Sequence, residues 1–309
     1  MTVSAKLQGR ESGTSEARRI AYKQIAAALA ALSAKRPSDS SIHAARKAIK
    51  KARALWRLLQ DALPAATYRE VNARLRDAGR PLGAARDAKI LVVALDRLLK
   101  AYGRRAAPNT LQAFRRSLVQ NGSAIKHALM CEPTGIALSR HALRRVCQQV
   151  RGFSVSKGGW SVLGKGLRRT YARGRRMYHK ACSDRRAEHL HEWRKQVKYL
   201  HNEIAILKPL WRGPIGKLAS ATGRLSEQLG DDHDLAVLCS RVLAQRGTIF
   251  SAAQAAKIVA LIDRERAGLQ DAACTLGARI YEEKAAAFAA RFGGYWDEWR
   301  RTKTKAQLS

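Results

Sequence analysis

Acidic and aromatic residues are both scarce in this chain of 309 residues. Only 24 Asp and Glu stand against 59 Lys and Arg, so the formal net charge is +35, and Phe, Trp and Tyr together make up 6%. A folded body with this charge repels itself, and solubility requires far less charge. The composition therefore predicts an anionic, multivalent partner. Because 46% of the residues are hydrophobic, the chain can bury a core, which excludes a disordered basic tail.

Paired cysteines and long apolar runs are also missing. The five cysteines lie at positions 131, 147, 182, 239 and 274, and no two of them form a C-x-x-C pair. This scatter argues against a disulfide framework or a zinc ribbon and favours a reducing compartment. The first residues lack the apolar stretch of a signal peptide, and no run approaches the ~18 apolar residues of a membrane span. We therefore expect a cytoplasmic protein without a membrane partner.

The long segments have helical periodicity and few alternate like strands, which predicts an all-α fold. We predict helices over 15–34, from residues 38–41 to Pro64, from 65 with a break at 79–83, from Pro108 to Pro133, and over 136–151. Clustered glycines predict a connection over 152–166. Further helices are predicted over 167–181, 185–207, 215–229, 232–246, 252–266 and 269–291, and the basic residues 300–305 predict a frayed tail.

The two halves of the chain contain the same motif. Residues 41–59 align with residues 189–207, and each segment reads H-x-x-R-K-x-x-K. The apolar positions of the two segments also coincide in this alignment, and both segments are followed by L-G-x-x-x-D, at 82–87 and 229–234. The sequence therefore predicts two copies of one helical unit.

The spacing of the motif places its cations on one face of a helix, opposite the apolar stripe. We call His43, Arg46, Lys47 and Lys50, extended by Arg53 and Arg57, the first ridge. The second ridge is His191, Arg194, Lys195 and Lys198, extended by Tyr199 and His201. Like charges one turn apart destabilise an isolated helix, and a solvated face normally mixes signs. Arginine and lysine with few aromatics indicate a site for phosphate rather than for stacked bases.

The paired H-x-x-R-K-x-x-K helices, each followed by L-G-x-x-x-D, resemble the CHAD domain, the conserved histidine α-helical domain. The resemblance covers residues 14–301, with halves at 14–151 and 160–301 and a basic tail at 302–309. It implies two four-helix bundles related by a pseudo-twofold axis, with a basic groove or pore between them that binds inorganic polyphosphate. It also implies association with polyphosphate granules inside bacterial cells.

On this resemblance, His43 and His191 match the histidine of the family. The basic partners are matched by Arg46, Lys47, Lys50, Arg53, Arg194, Lys195 and Lys198. Tyr199 and His201 stand where the first copy has Lys51 and Arg53, which implies a weaker or more pH-sensitive second ridge.

Other cations and acids accompany the ridges. Helical spacing favours the same groove, with plain solvated surface as the alternative, for Arg168, Arg169, Arg173 and Arg176 and for Arg19 and Lys23. Asp87 and Asp234 end the L-G-x-x-x-D segments, where each carboxylate could brace a ridge or begin a helix. Residues 231–234 are a weak metal signal, so we expect no metal and no cofactor.

The sequence therefore predicts non-catalytic binding of inorganic polyphosphate. An RNA- or ribosome-binding protein is the alternative, because structured RNA can be held through its phosphates and its shape. A polyphosphate-processing enzyme is the third reading, and it would need Mg²⁺ ligands beside the basic residues. No phosphate-binding loop accompanies them, since Leu218 replaces the Ser or Thr that such a loop requires.

Overall fold

The computed structural model describes residue 7 and residues 13–102, 108–131, 133–152 and 159–308. These ranges contain eleven α-helices, two short 3₁₀ helices and no strand, which confirms the all-α prediction. The α-helices are α1 (Gly13–Ala31), α2 (Asp39–Leu58), α3 (Ala65–Gly79), α4 (Pro81–Tyr102), α5 (Pro108–Cys131), α6 (Pro133–Gly152), α7 (Trp160–Ser183), α8 (Ala187–Leu207), α9 (Arg212–Ala244), α10 (Ala252–Ile280) and α11 (Ala285–Leu308).

The helices pack around two apolar cores, and both cores draw on both halves of the sequence. The larger core joins α1, α2, α3 and α6 to α7, α8, α9 and α11, while the smaller core joins α4 and α5 to α9 and α10. Helix α2 packs on α8 and α4 packs on α9, so the helices that carry equivalent motifs meet. The arrangement as two four-helix bundles about a pseudo-twofold axis stays a prediction. None of the described helices is long and apolar enough to cross a membrane.

Several predicted helix ends are wrong. Helix α9 continues through Gly230 and α10 continues through Gly268, because a glycine inside a helix costs only about 1 kcal/mol. The chain breaks instead at residues 281–284, and α11 then extends through the residues predicted as a frayed tail. Pro133 is the first residue of α6, a position that proline favours because its missing N–H has no helical partner there.

The glycines predicted to form a connection belong partly to a helix. Helix α7 begins at Trp160 and contains Gly164 and Gly166, while residues 153–158 of the predicted connection lie outside the described residues. A Cβ atom on Gly166 would overlap the backbone of Leu58 at the end of α2. Glycine at position 166 therefore lets α7 cross α2 at close range.

One disulfide contradicts the expectation drawn from cysteine spacing. Cys182 on α7 is bonded to Cys274 on α10, with their Cα atoms 5.9 Å apart. The two residues are 92 positions apart, so no local motif announces the pair. Cys147 and Cys239 are free. The sequence analysis favoured a reducing compartment because the cysteines looked unpaired, and this disulfide removes that reason.

Candidate functional site

The two ridges stand on helices whose opposite faces are buried as predicted. In α2 the buried face includes Ile42, Ala45, Ile49, Ala52 and Trp56, and in α8 it includes Leu190, Trp193, Val197, Leu200, Ile204 and Leu207. Ser38 caps α2 by accepting a hydrogen bond from the backbone N–H of Ser41, with nitrogen and oxygen 3.1 Å apart. Because both apolar stripes point into the larger core, the cations of both helices remain on the other side.

The two ridges meet where α2 packs on α8. Lys50 of the first ridge acts electrostatically on Lys198 of the second, and Arg194 of the second ridge acts on Lys50. Lys50 retains access to solvent but is surrounded by protein, and this loss of hydration, followed by the nearby cations, lowers its pKa to about 8. The same causes lower the pKa of Lys198 to about 7. The pair therefore occupies a strongly positive part of the surface.

Arg86 on α4 joins both ridges, although sequence analysis did not select it. Its guanidinium acts electrostatically on His43, Lys50, Arg194 and Lys198. The alignment of the two L-G-x-x-x-D segments could have indicated Arg86. The residue before the aspartate is Arg86 in one copy and His233 in the other, and both side chains can carry a positive charge. We use the name central cluster for Arg86, Lys50, Arg194 and Lys198.

His233 stands beside the histidine of the second ridge. The rings of His191 and His233 have their centroids 5.0 Å apart. Burial, Arg194 and His191 lower the pKa of His233 to about 4, and burial followed by neighbouring cations also lowers the pKa of His43 and of His191. These imidazoles are therefore neutral near pH 7, as the cationic surroundings require.

The acids that end the repeated L-G-x-x-x-D segments interact electrostatically with arginines of the ridges. Asp87 has a carboxylate oxygen 4.0 Å from the guanidinium of Arg46. Gly83 makes room for this guanidinium, because a Cβ there would approach it to 3.0 Å. Asp234 acts electrostatically on Arg194, and burial raises the pKa of the Asp234 carboxyl. Each acid thus offsets part of the charge of one ridge arginine.

Neighbouring acids have structural partners. Asp232 is buried and accepts hydrogen bonds from Arg266 Nε at 3.1 Å and from Gln270 Nε2 at 2.7 Å. Among the described residues, no three His, Cys, Asp or Glu side chains form a group that could hold a metal ion.

Two arginines at equivalent positions of the motif have a buried N–H donor. The Nε–H groups of Arg46 and Arg194 are buried and make no hydrogen bond to another described residue. A buried donor without an acceptor is unfavourable by about 1–3 kcal/mol. An anion that accepts from these groups would remove that penalty.

The remaining ridge residues differ in their surroundings. Lys47 is exposed, and Lys195 bonds Glu192 at 2.7 Å. The extensions hold helices together: the Arg57 guanidinium lies 3.6 Å from the centroid of the Tyr199 ring, Arg53 Nε donates to Asn72 at 3.4 Å, and His201 lies 3.3 Å from Thr222. These residues thus lie outside the central cluster, and their part in binding stays a prediction.

The outlying cations predicted to line the groove lie in other surroundings. Arg169 pairs with Asp61 and donates to the Arg57 carbonyl at 2.7 Å, while Arg168, Arg173 and Arg176 are exposed on α7. Arg19 and Lys23 line a separate concavity of about 330 Å³ with Arg18, Tyr22 and Arg151. That concavity contains no residue of either ridge, so its membership of the same site stays a prediction.

Comparison with known proteins decides the family. A family model described as the CHAD domain matches residues 19–243. The chain belongs to the CHAD-domain family. The CHAD domain from the plant Ricinus communis has a similar fold, with 17% identity and a TM-score of 0.59 over 87% of this chain and 96% of that one. The structure of PptA from Streptomyces chartreusis is also similar, with 14% identity and a TM-score of 0.63 over 88% of this chain and 100% of that one. No curated protein matches this CHAD chain.

Proposed function

We propose that this protein binds inorganic polyphosphate, without processing it, in the groove formed by the two ridges. The observation that carries the proposal is the meeting of Lys50 and Lys198, from the two copies of the motif, beside Arg86 and Arg194. Membership of the CHAD-domain family supports the choice of ligand.

The electrostatics favour a linear polyanion over a single small anion. Four cationic groups from three helices repel one another in the central cluster, and this repulsion helps to lower the pKa of both lysines. Each phosphate that enters the groove attracts the cations that otherwise repel one another. The planar guanidinium group of arginine can also form two parallel hydrogen bonds to phosphate oxygens. A chain of phosphates serves several cations at once, so affinity should rise with chain length.

Binding without turnover follows from the role proposed for the nearby acids. Asp87 and Asp234 act electrostatically on Arg46 and Arg194, and we assign these carboxylates to orienting the guanidinium groups that receive phosphate. We therefore expect the length of a bound polyphosphate to remain constant on incubation with Mg²⁺. A time-dependent shortening by the wild-type protein, absent from Lys198→Glu, would establish a processing enzyme instead.

The decisive experiment titrates the protein with a short polyphosphate of defined length. Lys50→Glu and Lys198→Glu each place a repelling charge in the groove and should each weaken binding by about 1–3 kcal/mol. Lys257→Glu makes the same charge change at an exposed position on α10 and serves as the control. One tight site in all proteins is expected, with only the control retaining full affinity. If either groove variant keeps a site of wild-type affinity at half the capacity, the ridges bind separately.

A competition at near-physiological salt distinguishes polyphosphate from RNA. Long-chain polyphosphate should displace bulk RNA from the wild-type protein, and Lys198→Glu should reduce this advantage. Preferential retention of RNA would favour the RNA-binding alternative.

In cells that store polyphosphate, we propose that the protein gathers at the polyphosphate granules. Fluorescence microscopy of a tagged wild-type chain and of the tagged Lys50→Glu variant can test this localisation.

A further inference from the structure

A wide groove lies beside the first ridge, between the beginning of α2 and the helices α4 and α5. Its volume is about 1210 Å³, which exceeds that of most sites for small ligands. The walls are mainly apolar and include Ile90 and Val93 from α4 and Leu118 and Val119 from α5. We call this space the α4–α5 groove.

The apolar walls of the α4–α5 groove are open to solvent. Val93 is 43% exposed and Val119 is 41% exposed. A single exposed valine is ordinary on a protein surface. Here two of them come from neighbouring helices and line the same groove, which places apolar surface where a ligand could cover it.

The lining of the α4–α5 groove also includes cations. His43, Arg46 and Arg86 are among the lining residues, and the buried Nε–H of Arg46 has no acceptor among the described residues. The acids along the groove are matched by other cations. Asp39 pairs with Lys126 at 2.7 Å and with Lys89 at 3.7 Å, and Asp96 pairs with Arg115 at 2.6 Å.

We propose that the α4–α5 groove binds an amphiphile with a terminal phosphate and a single hydrocarbon chain. The phosphate contacts Arg46 and Arg86, and the chain covers Val93 and Val119. The charge distribution favours this occupant, because Arg46 and Arg86 are close enough to repel each other, whereas Lys89 and Lys126 are paired with Asp39. The inference rests on the proposed function to the extent that the head-group cations belong to the polyphosphate site. A phosphorylated lipid of this kind would therefore compete with polyphosphate.

Calorimetric titration with dodecyl phosphate, below its micelle concentration, tests the inference. Each buried methylene should raise affinity about fourfold, so dodecyl phosphate should bind at least tenfold more tightly than methyl phosphate. Octyl phosphate should fall between them. Dodecanol, which lacks the phosphate, should bind more weakly than dodecyl phosphate.

Two variants separate this site from the polyphosphate groove. Val119→Asp should weaken binding of dodecyl phosphate at least tenfold and leave polyphosphate affinity within twofold. Leu138→Asp provides the control, because Leu138 is 59% exposed on α6 and does not line the α4–α5 groove. Lys198→Glu should weaken polyphosphate binding more than dodecyl phosphate binding, because Lys198 acts on Arg86 but does not line the α4–α5 groove. The two functions therefore respond differently to the two variants.

Three results would overturn the inference. Equal affinity for methyl and dodecyl phosphate would show that the apolar walls do not contribute. Equal affinity for dodecanol and dodecyl phosphate would show that the cations do not contribute. If Val119→Asp changes only the oligomeric state, measured by light scattering, the groove is an interface between copies of this chain.

Discussion

Lys198 and Lys50 titrate in a range where lysine is normally fully charged. Burial and the surrounding cations lower their pKa values to about 7 and about 8, so at neutral pH the groove is not fully protonated. A bound polyanion reverses the local field and favours the charged amines. The sequence places these lysines among other cations on one face of each helix. It could not show that their pKa values are lowered this far, since the loss of hydration depends on how α2 and α8 meet.

Polyphosphate binding should therefore take up protons at pH 7 and weaken as pH rises from 6 to 9. Deprotonation first of Lys198 and then of Lys50 removes positive charge in this range. Calorimetry in buffers with different ionisation enthalpies measures the uptake. Lys198→Arg should bind with less uptake, because a guanidinium stays protonated. No uptake by the wild-type protein, with equal affinity at pH 6 and pH 8, would contradict this prediction.

Glu203 is a buried acid that accepts a hydrogen bond from Thr170 Oγ1 at 3.0 Å. Burial raises its pKa to about 8, whereas the unfolded chain would ionise near the ordinary value for glutamate. The folded state thus holds a proton that the unfolded state releases, and its stability falls as pH rises between these two values.

Glu203→Gln should remove this pH dependence, because glutamine stays neutral. Relative to the wild-type protein, the variant should gain on the order of 2 kcal/mol between pH 5 and pH 8. Urea unfolding at the two pH values measures the difference. Glu282→Gln, at an exposed position next to α11, is the control and should unfold in parallel with the wild-type protein. A constant difference between Glu203→Gln and wild type would refute the assignment.

At the scale of the helices, α2 and α8 follow from the sequence, and so does most of α7, but the beginning of α7 does not. The apolar stripes of α2 and α8 are buried as their spacing predicts, because a period of 3.6 residues is a property of the helix alone. Glycine is ambiguous. Gly166 belongs to the cluster of glycines that predicted a connection, but it allows the close crossing with Leu58, which only the packed structure reveals.

Gly166→Ala should destabilise the protein by about 1–3 kcal/mol, because the added methyl group forces α7 away from α2. Gly268→Ala is the matched control, since a Cβ at that position on α10 meets no atom within 4 Å. The control should gain up to about 1 kcal/mol from better helix propensity. The midpoint of urea unfolding compares the two variants. Equal shifts of the same sign would show that the crossing has room for a methyl group.

At the scale of the whole molecule, the net charge of +35 makes binding sensitive to salt. The composition alone predicted a multivalent anion, and the repeated motif predicted which cations would bind it. What remained hidden was the contribution of a third helix, because Arg86 reaches the ridges only when α4 packs beside α2. The Cys182–Cys274 disulfide was hidden for the same reason, since a distance of 92 positions leaves no local pattern.

Affinity for polyphosphate should fall steeply as salt rises and should increase with chain length. Each phosphate that the protein neutralises releases counterions, so the slope of log affinity against log salt counts the contacts. Removing Arg86 as Arg86→Ala should reduce this slope by about one contact. Fluorescence titration over a series of salt concentrations gives the slope. Orthophosphate binding as tightly as a long chain would exclude a multivalent groove.

Helix α9 links the two cores of the molecule. Its 33 residues span about 50 Å, and its first part enters the larger core through Leu225 and Leu229 while its last part enters the smaller core through Leu235 and Leu238. Gly230 lies where the helix passes from one core to the other, just before His233 and Asp234. One continuous helix therefore connects the two cores. A rotation of one core against the other would have to bend this helix between Leu229 and Leu235, the stretch that holds Gly230 and His233.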